Sequence, residues 1–450
     1  MNLGHWPAEP HKRLSNRFVG GLYKSGQRER FETIQNDIPA NSSSTRLETH
    51  PHSAFITFTP DSPERELSFS GTQVAKRVAD TTALGPCQAG GGIVTMKFLE
   101  KLIKRQLAID LGTVNTLIYD PNQGILLNQP SVVAIDRYDE EVVSVGHQAL
   151  KLLGREPRGI EVHRPIRSGT IYNFEVTQKM LRSFLNSVTD GYGRGHFVVG
   201  TPGSATAVEL RSVRAAAHDV GARRVDLVDE GLAAGLGAGL DSDDERAHLV
   251  VDVGGGTTNI AIIASGGVVA STSLAAAGNA MDESIRDYVR SQHCLHIGEV
   301  TSETIKKQLG TLSENDLEVD DQFEVVGKNI IDGSACGVKI TAAEIREALE
   351  PILAEIIGGV RRVMEEAQPE AVADIYYSGV ILTGGGSLLK GMKERLQNEL
   401  KLHVSRPDDP ITTVVLGAGS LLALPEKLHR CSIRQNLPVW QASEELVASW

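Results

Sequence analysis

Two stretches of the chain share one grammar of apolar and polar positions. The first opens with an apolar run at Leu107, passes through Asp110, Gly112, Thr113 and Asn115, and returns to apolar residues at Leu117 to Tyr119. The second runs Leu249, Val250, Val251, then Asp252, three glycines, Thr257 and Thr258, and returns at Ile260 to Ile263. Each pattern predicts a hairpin of two buried strands joined by a turn of small residues. Their separation of about 140 residues marks the chain as internally duplicated. A glycine turn between buried strands leaves N–H groups facing a concavity that no Cβ obstructs, which suits phosphate oxygens. Asp110 and Asp252 stand where a carboxylate would hold hydrated Mg²⁺ beside those phosphates. Taken singly, either stretch also reads as an ordinary glycine-rich turn. Two of them, facing each other from like halves, would clamp a polyphosphate from both sides.

The pattern elsewhere supplies the setting. Residues 1–95 are rich in Ser, Thr, His, Pro and Arg and carry no sustained apolar period. They read either as disordered chain or as translation upstream of a start at Met96. In residues 96–106, Phe98, Leu99, Leu102 and Ile103 oppose Lys97, Lys101, Lys104 and Arg105. That is a short basic amphipathic helix, which either docks on a domain edge or lies in a membrane surface. A strand is expected at 131–135 and a helix over 173–185, while His163, Arg164 and Arg167 read as a solvated or interface surface. Residues 196–230 form an α/β unit: a strand ending at Thr201, a helix over 205–220, and a strand VDLVDE. Asp229 and Glu230 fall just past that strand's carboxyl end, where open α/β sheets meet ligands. One of them orients a water for attack on a terminal phosphate, or the pair simply favours the N-terminus of a helix over 231–240.

Further along, Glu303 and Lys306 share a predicted helix face and either embrace a hydroxylated ring or pair with each other. Residues 311–341 alternate short runs in the manner of a small β-rich part, and 341–364 form a long amphipathic helix that contains Pro351. At 379–392 a strand runs into Gly384, Gly385 and Gly386 and then a helix. Backbone without side chains there lies flat against a purine or offers N–H groups. Residues 411–424 are a small-residue segment able to pack tightly, and 425–450 read as a loosely held tail.

Composition narrows the classes. With 450 residues, 41% of them hydrophobic, the chain fills two or more domains. A formal net charge of -12 argues against a nucleic-acid partner. Cys87, Cys294, Cys336 and Cys431 lie far apart without ligand spacing, which argues against a disulfide framework or zinc site and fits reduced thiols in a cytosol. No apolar run is long enough to span a bilayer, and the start lacks the order of a signal peptide.

DLGT at 110–113, VDE at 228–230, DVGGGTT at 252–258, ETIK at 303–306, TGGGSLL at 383–389 and LGAGSLL at 416–422 together resemble the actin-like ATPase superfamily. TLIYDPNQGILLNQPSVVAI, HRPIRSGTIYNFEVTQKML and IGEVTSETIKKQLG resemble its MreB family of rod-shape filament proteins, the likeness running over residues 96–424. The resemblance implies an α/β, actin-like (duplicated ribonuclease-H-like) two-domain fold with a nucleotide cleft between the domains, closing on ATP and Mg²⁺. Domain I would comprise 107–247 plus 411–424, and domain II 248–410 with an outer subdomain near 282–341. It further implies a weak ATPase that polymerises with itself into filaments scaffolding cell shape and wall synthesis. Such a protein would be cytoplasmic and peripheral at the inner face of the cell membrane, held there through residues 96–106, with membrane cell-shape and wall-synthesis proteins as partners. Another actin-like filament, for plasmid or organelle positioning, and a sugar-kinase-like phosphotransferase are the alternatives.

Carried over by motif, Asp110 and Asp252 would be the metal-side acids. Gly112, Thr113, Val114, Asn115, Gly254, Gly255, Gly256, Thr257 and Thr258 would hold phosphates. Glu303 and Lys306 would touch ribose or adenine, and Gly384, Gly385 and Gly386 the adenine face. Asp229 would position the lytic water, with Glu230 as its substitute. The family typically has Glu-Glu-Pro where Asp229-Glu230-Gly231 stand, glutamate at Asn259, and Gly-Gly-Asp at Ala277-Gly278-Asn279. The shorter Asp229 therefore implies slow hydrolysis. The loop at 190–195 is short and glycine-rich where many relatives place an apolar membrane-inserting tip.

Overall fold

The computed structural model describes residues 105–188, 195–313 and 322–433. The predicted N-terminal segment, most of the basic helix, most of the 190–195 loop and the end of the tail lie outside them. One helix boundary is corrected: Gln106 opens a strand rather than ending a helix.

The first half begins with β1 (Gln106–Leu111), β2 (Asn115–Asp120) and β3 (Gly124–Pro130), an antiparallel meander. A small sheet of β4 (Val133–Asp136), β5 (Val142–Val145) and β6 (Ile160–His163) follows, with α1 (His147–Leu150) between the last two. The short ribbon β7 (Ile166–Arg167) and β8 (Thr170–Ile171) then leads into α2 (Phe174–Val188), β9 (His196–Thr201), α3 (Ala207–Asp219) and β10 (Arg224–Asp229). Helix α4 (Glu230–Gly237) connects onward.

The second half repeats the plan. A meander of β11 (His248–Val253), β12 (Thr258–Ala264) and β13 (Gly267–Leu274) precedes α5 (Gly278–His293), β14 (Leu295–His296) and α6 (Glu299–Leu309). After β15 (Gln322–Asn329) and β16 (Ala335–Thr341) come α7 (Ala342–Glu366), α8 (Pro369–Ser378), β17 (Val380–Thr383), α9 (Met392–Leu400), β18 (Val404–Ser405), α10 (Thr413–Leu422) and α11 (Pro425–Cys431).

Strand order exposes the duplication: β3-β2-β1-β9-β10 in one sheet and β13-β12-β11-β17-β18 in the other. In both, the first strand pairs antiparallel with its hairpin mate and parallel with a strand reached through helices. The first strands are therefore central and covered on both faces, and their apolar residues Leu107, Ala108, Ile109 and Leu249, Val250, Val251 are buried. This is the actin-like architecture.

Between the sheets lies a shared apolar layer. Ala108, Leu117, Val198 and Val228 reach it from one side, Val250, Ala261 and Ile263 from the other, and α4 and α10 fill the middle. The two helices cross very closely. A Cβ on Gly237 would strike the Thr413 carbonyl, and one on Gly417 the Ala233 carbonyl.

Helix α7 runs through Pro351 as the sequence suggested. Thr341 and Glu344 form a capping box at its start, and Ser284 donates to the Ala348 carbonyl one turn before the proline. The expected loose tail is corrected in its first part. Leu428 and Cys431 of α11 are buried, Ser432 bridges Val228, and Ile433 N–H donates to the Leu227 carbonyl at 2.8 Å. Two apolar residues three apart are too short a signal to reveal such a helix from sequence.

Candidate functional site

The turns of the two hairpins meet. A Cβ on Gly255 would run into Val114 and one on Gly256 into Thr113, so only glycine lets the second turn lie against the first. Each turn is braced from behind. Ser131 donates to the Gly112 carbonyl at 2.7 Å, and Gly254 N–H closes on the Thr257 carbonyl at 2.9 Å. The N–H groups of Gly278 and Asn279, at the start of α5, donate to the carbonyls of Gly254 and Gly255.

Beside the meeting point lies a cavity of about 560 Å³, large enough for a nucleotide. Asp110, Gly112, Thr113, Val114 and Asn115 line it from the first hairpin, and Asp252, Gly254, Gly255, Gly256 and Thr257 from the second. Glu230, Glu303, Lys306 and Gly384, Gly385, Gly386 complete the expected residues in its wall. Gly384 has φ +81°, and a Cβ there would strike the Val253 carbonyl, so β17 can turn away only through glycine.

Two expected residues are elsewhere. Thr258 is buried in β12, and its hydroxyl donates to the Ala276 carbonyl. Asp229 does not line the cavity: its Oδ1 accepts from Leu232 N–H at 3.0 Å as the N-cap of α4, and its other oxygen faces Gly203. Strand β10 ends at Asp229 and α4 begins at Glu230, so consecutive carboxylates leave the backbone on different sides. It is Glu230 that reaches the cleft.

Lys306 lines the cavity, but its Nζ is engaged by the Gly278 carbonyl and Asp282 Oδ2, both at 2.8 Å. Glu303 pairs with Lys307 at 2.7 Å rather than with Lys306.

The electrostatics are those of a cation site. Burial, then the charge of Asp252, pushes the Asp110 carboxyl up to about 7. Asp252 rises to about 6 through burial, against hydrogen bonds from Thr383 and Asn259 that favour its charged form. Glu230 is raised well above the usual range by burial and then by Asp110 and Asp252. Among the described residues no group of three or more His, Cys, Asp or Glu side chains encloses an ion by itself. The neighbouring carboxylates of Asp110 and Asp252 nonetheless fit Mg²⁺, which takes one or two carboxylates and fills its remaining positions with water and phosphate.

Four contributors have roles in the site that the sequence does not assign. Thr383 donates to Asp252 Oδ1 at 2.9 Å, because parallel pairing sets it opposite that residue. Asn259 Nδ2 donates to Glu230 Oε2 at 2.7 Å, and Ser273 Oγ to Asn259 Oδ1 at 2.6 Å, which fixes the amide's orientation. Arg164, expected on a surface, lines the cavity. Only strand partnership brings the first three together, and no local pattern announces it.

The protein-family model for MreB/Mbl protein matches residues 104–430. The chain belongs to the MreB/Mbl family. It is 41% identical over 336 residues to the cell shape-determining protein MreB of Escherichia coli K12, covering 73% of this chain and 96% of that one. To the cell shape-determining protein Mbl of Bacillus subtilis 168 it is 36% identical over 331 residues, covering 73% and 99%. The solved MreB5 of Spiroplasma citri bound to AMPPNP superposes with a TM-score of 0.69 at 29% identity, covering 73% of this chain and 98% of that one. The MamK double helical filament shares the fold, with a TM-score of 0.60 at 22% identity over 71% of this chain and 99% of that one. Outside the MreB/Mbl match lie residues 1–103 and 431–450.

Proposed function

We propose that this MreB/Mbl chain binds ATP with Mg²⁺ in the cleft between its hairpins, hydrolyses it and assembles with itself into filaments that support cell shape. The reading rests on one observation: two hairpin turns from sheets of identical strand order close on a single cavity walled by Asp110, Asp252 and Glu230. Kinship with MreB5, solved with AMPPNP and with ADP, supports it.

Backbone donors of the two turns would cradle the phosphates, and Thr113 and Thr257 would add hydroxyls. Gly384 to Gly386 would leave flat space for the base, with Glu303 toward the ribose. Asp110 and Asp252 would hold Mg²⁺, which when bound supplies shielding of the charge that grows on the phosphates. Glu230, steadied by Asn259, would accept a proton from, or orient, the water attacking in line with the leaving phosphate. The slow-hydrolysis expectation built on a shortened Asp229 therefore loses its basis, and the rate is Glu230's to set.

Because the phosphates would touch both halves, nucleotide state would bias the angle between them, and through it the contacts between successive subunits. The basic segment 96–106 would hold such filaments on the inner face of the membrane, many weak attachments acting together, alongside membrane wall-synthesis partners. Light scattering and sedimentation with ATP and Mg²⁺ test the reading. Polymer that forms with nucleotide and disappears with EDTA is expected; no polymer under any nucleotide or salt condition would refute it.

A further inference from the structure

Arg164 directly follows β6, and Glu299 opens α6, so the two residues belong to the halves built around different sheets. Arg164 Nη2 lies 2.6 Å from Glu299 Oε1, and both residues line the cavity. The side chains are 18% and 37% exposed, so solvent screens the pair less than it would a surface bridge. Glu303, one turn further along α6 and in the same wall, also feels the guanidinium's charge.

The rest of the guanidinium is unsatisfied. Its Nε and Nη1 are buried and make no hydrogen bond. Arg286 and Arg395 each leave only Nε in that condition, and neither borders the cavity. A guanidinium carries five donors in one rigid plane, and a buried donor without an acceptor forfeits its full hydration. An ion pair that strands two donors is therefore finely balanced. The two donors are sealed from water as they stand, so a partner is gained when an occupant's oxygen draws the guanidinium toward it.

We propose that Arg164 and Glu299 form a clasp between the two halves in the wall of the cleft, completed by an oxygen of the bound nucleotide that accepts Arg164's spare donors, and that this clasp sets how long the nucleotide stays. The proposal rests on the cleft being an ATP site. It gives Arg164 two tasks at once, joining the halves through Nη2 and reading occupancy through Nε and Nη1. Lysine is no substitute, because a single ammonium lacks the planar fork that serves two directions.

The full chain, kept below the concentration at which it assembles, is loaded with radiolabelled ATP and Mg²⁺ and chased with excess unlabelled ATP. R164A is expected to speed release by about tenfold or more, as loss of charge-assisted bonds would. E299Q, at a more exposed position, speeds it several-fold, and R164K falls between wild type and R164A. The reversed pair R164E/E299R releases more slowly than either of its single changes. Thermal midpoints within a few degrees of wild type establish that the variants are folded. Release from R164A and E299Q within twofold of wild type overturns the clasp. Fast release from R164A with unaltered release from E299Q also overturns it, since Arg164 would then act from one side only. A wild-type chain that retains no ATP refutes the nucleotide site itself and the clasp with it; retention without any variant effect refutes the clasp alone.

Discussion

Replacing Asp252 by asparagine is expected to stabilise the nucleotide-free protein while destroying its response to ATP. Burial lifts the Asp252 carboxyl from its ordinary 3.8 to about 6 in the fold. A displacement of that size corresponds to roughly 3 kcal/mol. The sign follows from proton linkage: the folded chain holds this proton more tightly than the unfolded chain. Its stability is therefore greatest below pH 4, falls as pH rises through 6, and is lower by about 3 kcal/mol at neutral pH and above. Asparagine removes the charge but retains an oxygen that accepts the Thr383 hydroxyl. It also relieves Asp110, whose carboxyl stands at about 7 from burial and then from Asp252. In EDTA, the thermal midpoint of D252N should match wild type near pH 4 and exceed it by roughly 5 °C by pH 7, with the difference levelling off once Asp110 has also ionised. Addition of Mg²⁺ and ATP should raise the wild-type midpoint and leave D252N unmoved. A difference independent of pH, or a D252N protein less stable than wild type at pH 8, would refute the assignment of buried charge to this residue.

The adjacent acids of α4 should separate cleanly. Glu230→Gln is expected to lower the hydrolysis rate about a hundredfold with ATP affinity within threefold, measured by phosphate release and equilibrium binding. Asp229→Ala should retain hydrolysis and lose about 1 kcal/mol of stability in urea unfolding, the usual cost of an N-cap. The reverse pattern would restore Asp229 to the cleft. Gly256→Val forces a branched side chain into Thr113, and retained ATP binding by calorimetry would contradict the contact between the turns.

Much of this was legible from the sequence because the hairpins are local. Asp110 and Gly112, or Asp252 and Gly254, lie within one turn of each other, and an apolar run ending in glycine can fold few other ways. The identity of the two halves was readable for the same reason. What stayed hidden depends on partners distant in sequence. Whether Asp229 or Glu230 enters the cleft is decided where β10 gives way to α4, and composition says nothing about the side each carboxylate leaves on. Lys306 lines the cavity as the motif implies, but its partners Gly278 and Asp282 come from α5 and leave no local trace around residue 306. Arg164 looked like surface charge because Glu299, its partner, is 135 positions further along the chain.

The crossing of α4 with α10 has a mechanical consequence. Gly237 and Gly417 bring backbone against backbone, while Leu232 of α4 and Val414, Val415 and Leu421 of α10 are buried in the same cluster beside the crossing. It sits inside the apolar layer that both sheets share. Any change of angle between the sheets therefore has to be taken up where these two backbones touch, and a side chain added at Gly237 or Gly417 would wedge the halves apart.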